Sequence, residues 1–359
     1  MSGPVRRVAV TIKDVAERAG VSQMTVSRVL NNKPLVSEAT RERVRAAMRD
    51  LNYRPNLMAR NLAGRSGLFI GLLYANPSYG YLSEFLLGGL AACRRMGHHL
   101  VVEEPFMREE AIDPTFLEDR LTDSSLQAVL VIPPLSDDPE LIHRLTEAGV
   151  DFVRVSASPD PSPQHPTVGI DDRSAAADMT RYLMGLGHER IAVIGGPSSH
   201  LASQLRFEGF CDAMLDAGRE VRSDLIIEGD FTYRSGLDIA EQLFAATELP
   251  TAVFAFNDDM AAGAITGAYR ARLDVPGDVS IVGFDDTANA ASLYPPLTTV
   301  RQPIRQLAEQ AIELLVGQFE GTAGTPAAAL LDYEIIERAS AAPPARTSPR
   351  TDGRARKGG

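Results

Sequence analysis

Residues 11–31 read TIKDVAERAGVSQMTVSRVLN, and this stretch decides the fold of the N-terminal part of the chain. Its apolar residues repeat at helical spacing on either side of Gly20, which permits a sharp turn, and Ser22 suits the N-cap of the second helix. The apolar positions are Val15, Ala16, Ala19, Val26, Val29 and Leu30. Two short helices joined by such a turn indicate a helix-turn-helix, whose second helix enters the DNA major groove.

The residues that follow extend the helical head. Ser37 opens a third helical pattern, SEATRERVRAAMRDLNY, with arginines on its outer side, and residues 52–56 break it. A short helical segment, NLMARNLAGRSG, then ends at Gly64. The head is therefore expected to be a small three-helix domain followed by a short connecting helix.

The run AGVSQMTVSRVLN…VSEATRERVRAAMRDLNYRPNLMARNLAGRSG resembles the DNA-binding head and hinge of the lactose-repressor (LacI/GalR) family. The resemblance covers about 55 contiguous residues with several features at fixed spacing. It implies an all-α head over residues 1–56 and a hinge helix over residues 57–66. A bare helix-turn-helix pattern would be far less specific, because any small three-helix domain can produce one.

Charge is distributed unevenly between the two ends of the chain. The net charge is −11, yet residues 1–66 hold 13 Lys and Arg against 5 Asp and Glu. This leaves 23 of the 36 basic and 42 of the 47 acidic residues for the remainder. A basic head on an acidic body is typical of a protein that presents one end to phosphates.

From Gly67 onward, short apolar runs alternate with longer amphipathic ones. Runs such as RIAVIGG (190–196) and SIVGF (280–284) predict buried parallel strands, and the segments between them predict helices. The motifs R-x-x-G-F (206–210), VFAFNDDMAAGA (253–264) and VPGDVSIVGFDD (275–286) resemble the two-lobed, periplasmic-binding-protein-like α/β core of the same family.

We expect this core to span residues 67–340. Lobe 1 would comprise about 67–167 plus 297–327, and lobe 2 about 168–296 plus 328–340. Residues 341–359 are rich in Pro, Ala and Arg and predict a disordered tail. No leucine heptad follows the core, so a homodimer is favoured over a tetramer.

The second helix of the head carries the side chains suited to reading DNA. Arg28 can bond guanine in a bidentate manner, Gln23 can pair with adenine, and Met24 offers apolar contact. In the family, the positions that match these three residues determine sequence choice. The positions that match phosphate contacts are Ser22, Thr25, Ser27, Asn31 and Tyr53. Alternatively, Thr25 and Ser27 are surface hydroxyls and Arg28 is a solvated charge.

The segment RNLAG (60–64) resembles the family's hinge helix, in which a leucine wedges into a central base step of the minor groove. Leu62 matches that leucine, and Ala59 allows close approach of the helix to DNA. The implied site is a pseudo-palindromic operator in double-stranded DNA, with one head on each half. The alternative is that Leu62 makes an ordinary apolar contact between head and core.

A two-lobed α/β core binds its ligand at the carboxyl ends of its strands. Several polar or aromatic residues follow predicted strands. They are Asn76, Tyr79, Asp172, Phe231, Asn257 and Asp285. In the family, the positions that match Arg206, Asn257 and Asp285 hydrogen-bond the effector, and the one that matches Phe231 supplies a stacking ring. The rival interpretations are a structural ion pair between Arg206 and Asp285 and simple core packing of Phe231.

The sequence therefore predicts a repressor gated by a small molecule, with a carbohydrate inducer favoured, and neither enzymatic activity nor a cofactor or metal is expected. A purine-type corepressor and a partner-protein cue with a degenerate cleft remain alternatives. An exported solute-binding protein is disfavoured, because Val8 to Val10 is too short for a secretory signal. With no membrane-length apolar run, the expected location is the cytoplasm.

Overall fold

The structure, a computed structural model, describes residues 12–30, 36–51, 67–103, 107–108, 111–112, 126–155, 165–321 and 328–344. The chain divides into two compact units, Met1–Gly67 and Leu68–Gly359. The expected hinge at 57–66 lies outside the described residues, as does the part of the expected tail (341–359) from residue 345 onward.

The first unit holds three helices in its described part. They are α1 (Ile12–Ala19), α2 (Gln23–Leu30) and α3 (Glu38–Asp50). Gly20 takes a φ of 64°, which glycine adopts without strain, and so reverses the chain between α1 and α2. The Ser22 hydroxyl accepts the Thr25 N–H at 3.1 Å and caps α2. The apolar sides of the helices meet at Val15, Val26 and Val44, each fully buried.

Lobe 1 of the second unit is built on a six-stranded sheet in the order β13-β7-β6-β5-β1-β2, parallel throughout. Its strands are β1 (Phe69–Leu73), β2 (His99–Glu103), β5 (Ala128–Val131), β6 (Asp151–Val155), β7 (Thr167–Gly169) and β13 (Ala328–Leu330). Its helices are α4 (Tyr79–Met96), α5 (Pro139–Glu147) and α10 (Ile304–Phe319). Two short strands, β3 (Met107–Arg108) and β4 (Ala111–Ile112), pair antiparallel.

Lobe 2 repeats the plan with the order β14-β12-β11-β10-β8-β9, in which β14 alone runs antiparallel to its neighbour. Its strands are β8 (Ile191–Gly195), β9 (Ile226–Glu228), β10 (Ala252–Ala255), β11 (Ser280–Asp285), β12 (Thr298–Arg301) and β14 (Glu334–Ile336). Its helices are α6 (Asp172–Gly185), α7 (Leu201–Asp216), α8 (Tyr233–Phe244) and α9 (Asp258–Arg270). The central strands β8 and β10 are buried along their whole length, as parallel strands covered on both faces must be.

The described chain crosses between the lobes at residues 170–171, 302–303 and 331–333. These crossings correct two expected lobe memberships. Thr298–Arg301 belongs to lobe 2, because β12 pairs with β11, and Ala328–Leu330 belongs to lobe 1, because β13 pairs with β7. Apolar pattern predicts that a segment is a strand but not which of two similar sheets it joins, so both assignments from sequence were wrong.

The segment after β14 runs as a strap along lobe 2. The Ser340 carbonyl accepts the Ile281 N–H at 2.8 Å, and the Ser340 hydroxyl donates to the Ile281 carbonyl and accepts the Thr298 N–H. The buried His188 donates from Nε2 to the Ala342 carbonyl at 2.9 Å, and the Ala342 N–H donates to the Ser280 hydroxyl. Residues 341–344, predicted to begin the disordered tail, are therefore part of the folded core, because their backbone is hydrogen-bonded to lobe 2. In the described part of the chain, no helix is long and apolar enough to cross a membrane.

Candidate effector cleft and DNA-binding helix

A cavity of about 60 Å³ lies between the two lobes at the carboxyl ends of both sheets. This volume leaves room for a few water molecules. Six of the seven residues predicted to bind an effector line it. They are Asn76, Asp172, Arg206, Phe231, Asn257 and Asp285. The structure therefore brings together side chains that lie up to 209 positions apart in the sequence, from 76 to 285.

Arg206 forms the centre of the cavity wall. Its Nε donates to Asp172 Oδ1 at 2.7 Å, its Nη1 donates to the Phe256 carbonyl, and its guanidinium lies 3.6 Å from the centre of the Phe284 ring. Both members of the ion pair are nearly inaccessible, with side chains 6% and 4% exposed. Arg206 therefore pairs with Asp172 rather than with Asp285, the partner considered from sequence.

Asn257 and Phe231 are held together by the backbone of the cleft. Asn257 caps α9, where its Oδ1 accepts the Met260 N–H at 2.9 Å, and its Nδ2 donates to the Phe231 carbonyl at 2.8 Å. Phe231 takes a φ of 65°, which costs energy in a residue other than glycine and is often found at functional sites. Its ring stacks on His200, with centroids 5.6 Å apart.

Asp285 ends β11 with a φ of 115°, a second strained backbone position at the cleft. Its Oδ1 accepts a hydrogen bond from Gln302 Nε2 at 2.6 Å, and Gln302 lies in the crossing that leads back to lobe 1. Asp258 lies behind Asp285. Its Oδ2 accepts hydrogen bonds from the Thr287 N–H and hydroxyl, and its Oδ1 accepts one from the Thr299 hydroxyl. The interlobe cavity is thus hydrogen-bonded directly to a segment that joins the lobes.

Burial dominates the electrostatics of these carboxyls. It raises the pKa of Asp285 well above its ordinary value, and the charges of Asp258 and Asp259 add to the effect while Arg206 opposes it. Burial likewise raises the pKa of Asp258 to about 7 and raises the pKa of Asp172, where Arg206 opposes the shift. The cleft is a region in which negative charge is costly.

Lobe 1 contributes the residues around the start of α4. Asn76 Nδ2 donates to the Pro133 carbonyl at 3.2 Å, and Ser78 caps α4 by accepting the Tyr81 N–H. Tyr79, predicted to face the ligand, does not line the cavity, and its side chain is 81% exposed. Tyr81 lines it instead, because α4 begins at Tyr79 and residues two apart on a helix point in nearly opposite directions.

Four further polar or aromatic residues line the cavity and were not predicted from the sequence. They are Ser78, Tyr81, His200 and Gln302. Ser78 and His200 immediately precede helices, and Gln302 immediately follows a strand. The rule used for Asn257, that polar residues at strand ends face the cleft, would have selected Gln302 only if Thr298–Arg301 had also been predicted to be a strand.

The described DNA-binding candidates lie on or beside α2 with their side chains largely in solvent. Ser22, Gln23 and Arg28 are exposed, and the side chain of Met24 is 64% exposed. Thr25 is half-buried, and its hydroxyl lies 2.9 Å from that of Ser22. Ser27 is in α2, but its side chain, like Asn31, Tyr53, Ala59 and Leu62, lies outside what the structure describes.

A small helical head with an exposed second helix, followed by a two-lobed core with a polar interlobe cleft, defines a ligand-responsive type of DNA-binding protein. Residues 11–56 match the family "Bacterial regulatory proteins, lacI family", and residues 180–341 match a "Periplasmic binding protein-like domain". The transcriptional repressor CytR of Escherichia coli is 34% identical over 340 residues, which cover 95% of this chain and 98% of CytR.

Solved structures give the same result. The lac repressor dimer bound to operator and the anti-inducer ONPF is 30% identical, with a TM-score of 0.79 over 93% of this chain and 100% of that one. The CelR–cellobiose complex is 32% identical, with a TM-score of 0.68 over 92% and 99%. The chain belongs to the LacI family of DNA-binding transcriptional repressors, so it is a regulator and not an enzyme.

Proposed function

We propose that this repressor binds a pseudo-palindromic operator as a homodimer and is released from it by a sugar that enters the interlobe cleft. The observation that carries the proposal is the convergence of Arg206, Asn257 and Asp285, three separate hydrogen-bonding side chains, on one buried cavity. Guanidinium, amide and carboxyl groups are well suited to hold neighbouring hydroxyls.

Aromatic rings in the cavity wall offer a surface on which a sugar ring can stack. The stacked rings of His200 and Phe231 supply an apolar surface beside the polar groups. The CelR complex contains cellobiose, which supports the same ligand class here. The same rings would also suit a purine, and a purine-type corepressor is therefore the second candidate.

Motion of the lobes would link the cleft to DNA. A cavity of about 60 Å³ is too small for a sugar ring with its walls in these positions, so ligand entry requires the lobes to shift. The ligand then favours whichever lobe arrangement it binds more tightly. Gln302, bonded to Asp285, lies in one of the crossings about which the lobes would turn.

Two copies would place two heads on the two halves of an operator. The lac repressor structure is a dimer on operator. In this chain Leu87 and Leu90 of α4 are each 50% exposed, which suits burial against a second copy. Arg28, Gln23 and Met24 would read bases, and Leu62 would wedge into the centre of the site.

A thermal-shift screen against sugars and purines, followed by operator release, tests the effector proposal. A cleft ligand at about 100 times its dissociation constant adds roughly 2.7 kcal/mol to the free energy of unfolding. A sugar that stabilises the protein and releases operator supports induction, whereas a purine that tightens operator binding replaces it with corepression. A ligand that stabilises Asp285→Ala as well as the wild type would contradict the assignment of the cleft.

Operator titration tests the DNA-reading helix. Arg28→Ala is expected to weaken specific binding by about 1–3 kcal/mol and to relax preference at one base position. Arg43→Ala, exposed on α3, is the matched control. Equal losses on specific and random DNA for Arg28→Ala would show that Arg28 contacts phosphate and not a base.

A further inference from the structure

The cleft wall carries more acid than base. Among the described residues that line it, two carboxyls, Asp172 and Asp285, face one guanidinium, Arg206, and none is a lysine. His200 adds no positive charge to the wall, because burial lowers its pKa and keeps the imidazole neutral at physiological pH.

Arg206 is already neutralised. Its Nε bond to Asp172 is a buried ion pair at 2.7 Å, and Nη1 is bound to the Phe256 carbonyl. The guanidinium has further N–H groups that can donate to a ligand hydroxyl, but its positive charge has a partner. A second anion at Arg206 would compete with Asp172 for the guanidinium in a buried site.

A second layer of acids lies behind the wall. Asp258 is 2% exposed, and Asp259 accepts a hydrogen bond from the lining residue Ser78 at 2.8 Å. Burial raises the pKa of Asp258, Asp259 and Asp285, so the ionised form of each carboxyl is disfavoured in this region. An anionic ligand would meet the same cost of placing negative charge in the cleft.

The neighbouring arginines are occupied and cannot serve such a ligand. Arg301 and Arg338 both pair with Asp286, at 2.7 and 2.6 Å. Arg305 pairs with Glu84 at 2.5 Å. Binding of a phosphate in a protein interior is favoured by unpaired cationic groups or by helix N-termini. The N-terminus of α7 meets the cavity at His200 and Ala202 without a side-chain cap, but one helix N-terminus supplies only about half a positive charge, against about 1.5 to 2 negative charges on a phosphate.

We infer that the cleft selects an uncharged polyol, such as an unphosphorylated sugar or a nucleoside, and rejects the phosphorylated form of the same compound. The inference rests on the proposed function, in which the cleft is the effector site, and it narrows the chemical class of that effector. The carboxyls of Asp172 and Asp285 can accept hydrogen bonds from hydroxyls, and the rings of His200 and Phe231 provide an apolar wall.

The test is a panel of matched pairs, with affinities from calorimetry on the full chain at pH 7.5. The pairs are ribose and ribose 5-phosphate, glucose and glucose 6-phosphate, adenosine and AMP, and cytidine and CMP, with cellobiose added. At least one uncharged compound is expected to bind, and its phosphorylated partner is expected to bind at least about 30-fold more weakly. The sugar and nucleoside arms show which source supplies the polyol.

A phosphorylated compound that binds as tightly as its partner, or a panel without an uncharged binder, overturns the inference. Operator binding, measured in parallel, separates this failure from that of the proposed function. If phosphorylated compounds alone bind and release operator, effector control stands and the inference on charge fails. If no compound binds while operator is bound, both fail.

Asp172→Asn tests the cause, because it removes the charge that neutralises Arg206 and preserves the shape of the side chain. The ratio of the two affinities within a pair is expected to shrink by roughly 10-fold. Asp216→Asn, at an exposed position on α7, is the matched control and should leave the ratio unchanged. An unchanged ratio in Asp172→Asn overturns the role of the ion pair, and the wild-type panel remains decisive if that variant does not fold.

Discussion

The Ser78 hydroxyl donates to Asp259 Oδ2 at 2.8 Å and so joins lobe 1 to lobe 2 across the mouth of the cleft. Ser78 caps α4, and Asp259 lies in the first turn of α9. Beside this bond Gly80 lies so close to Thr287 that a Cβ on the glycine would come within 2.9 Å of the threonine Cγ2. The bond and this close approach hold the lobes together on that side.

The first prediction concerns this bond between the lobes. A double-mutant cycle with Ser78→Ala and Asp259→Ala is expected to give a coupling energy of about 0.5–3 kcal/mol in urea unfolding, because the two side chains are in direct contact. The cycle cancels the loss of the α4 cap that Ser78→Ala also causes. Asp216→Ala combined with Ser78→Ala is the control, and a coupling as small as in that pair would show that the bond does not form in solution.

The buried ion pair gives a second prediction. Arg206→Met leaves the Asp172 carboxyl in the interior without its partner, and we expect a loss of about 3–5 kcal/mol in the free energy of unfolding. The exposed pair of Arg181 and Asp178 offers a control, since Arg181→Met should cost no more than about 1 kcal/mol. Similar losses for the two variants would contradict the burial of Arg206.

Gly196 provides a third prediction, which concerns the shape of the cleft. A Cβ at this position would overlap the Phe231 ring, so Gly196→Ala must displace the ring and is expected to cost about 1–3 kcal/mol and to weaken effector binding. Gly185 ends α6 with nothing within 4 Å of a Cβ, and Gly185→Ala should be neutral or raise stability by up to about 1 kcal/mol. Chemical denaturation of both variants, with calorimetry of the effector, is the measurement.

The fourth prediction concerns pH. Burial lowers the pKa of His188, whose Nε2 donates to the Ala342 carbonyl and whose Nδ1 lies 3.0 Å from the Thr251 hydroxyl. A histidine with a lowered pKa in the folded state binds fewer protons than in the unfolded state, so its contribution to stability falls as the pH drops below the ordinary value of 6.5.

His188→Gln is therefore expected to lose less stability than the wild type between pH 7.5 and 5.5, as measured by urea unfolding at each pH. The other histidines and the buried carboxyls also make the free energy of unfolding depend on pH. Because they are the same in both proteins, the difference between the variant and the wild type reports on His188 alone. His143→Gln, on the exposed side of α5, is the control. An identical pH dependence in His188→Gln and the wild type would refute the prediction.

Much of the core could be predicted from the sequence, since apolar runs and amphipathic stretches alternate in the order that parallel sheets require. The same pattern placed Asn76, Asp172, Asn257 and Asp285 after strands, and the structure brings them to one cavity. Their convergence follows from topology, because the carboxyl ends of parallel strands lie at one edge of each sheet.

Each wrong prediction about the cavity had a physical cause. Tyr79 was misplaced because the start of α4 is set by the Ser78 cap, and a shift of two residues turns a side chain to the far side of a helix. The pairing of Arg206 with Asp172 rather than Asp285 depends on where α6 and α7 pack on each other. Such packing between elements leaves no periodic signal in the sequence.

The repeated crossing between the lobes means that neither lobe is a continuous stretch of chain. Lobe 1 is completed by α10 and β13, which follow most of lobe 2 in the sequence. Lobe 2 is completed in turn by β14 and the strap, which follow β13. A chain cut at Phe319 would thus leave two incomplete sheets, each with an uncovered edge. During synthesis the whole core must emerge before either lobe can finish folding, so the two lobes are not independent folding domains.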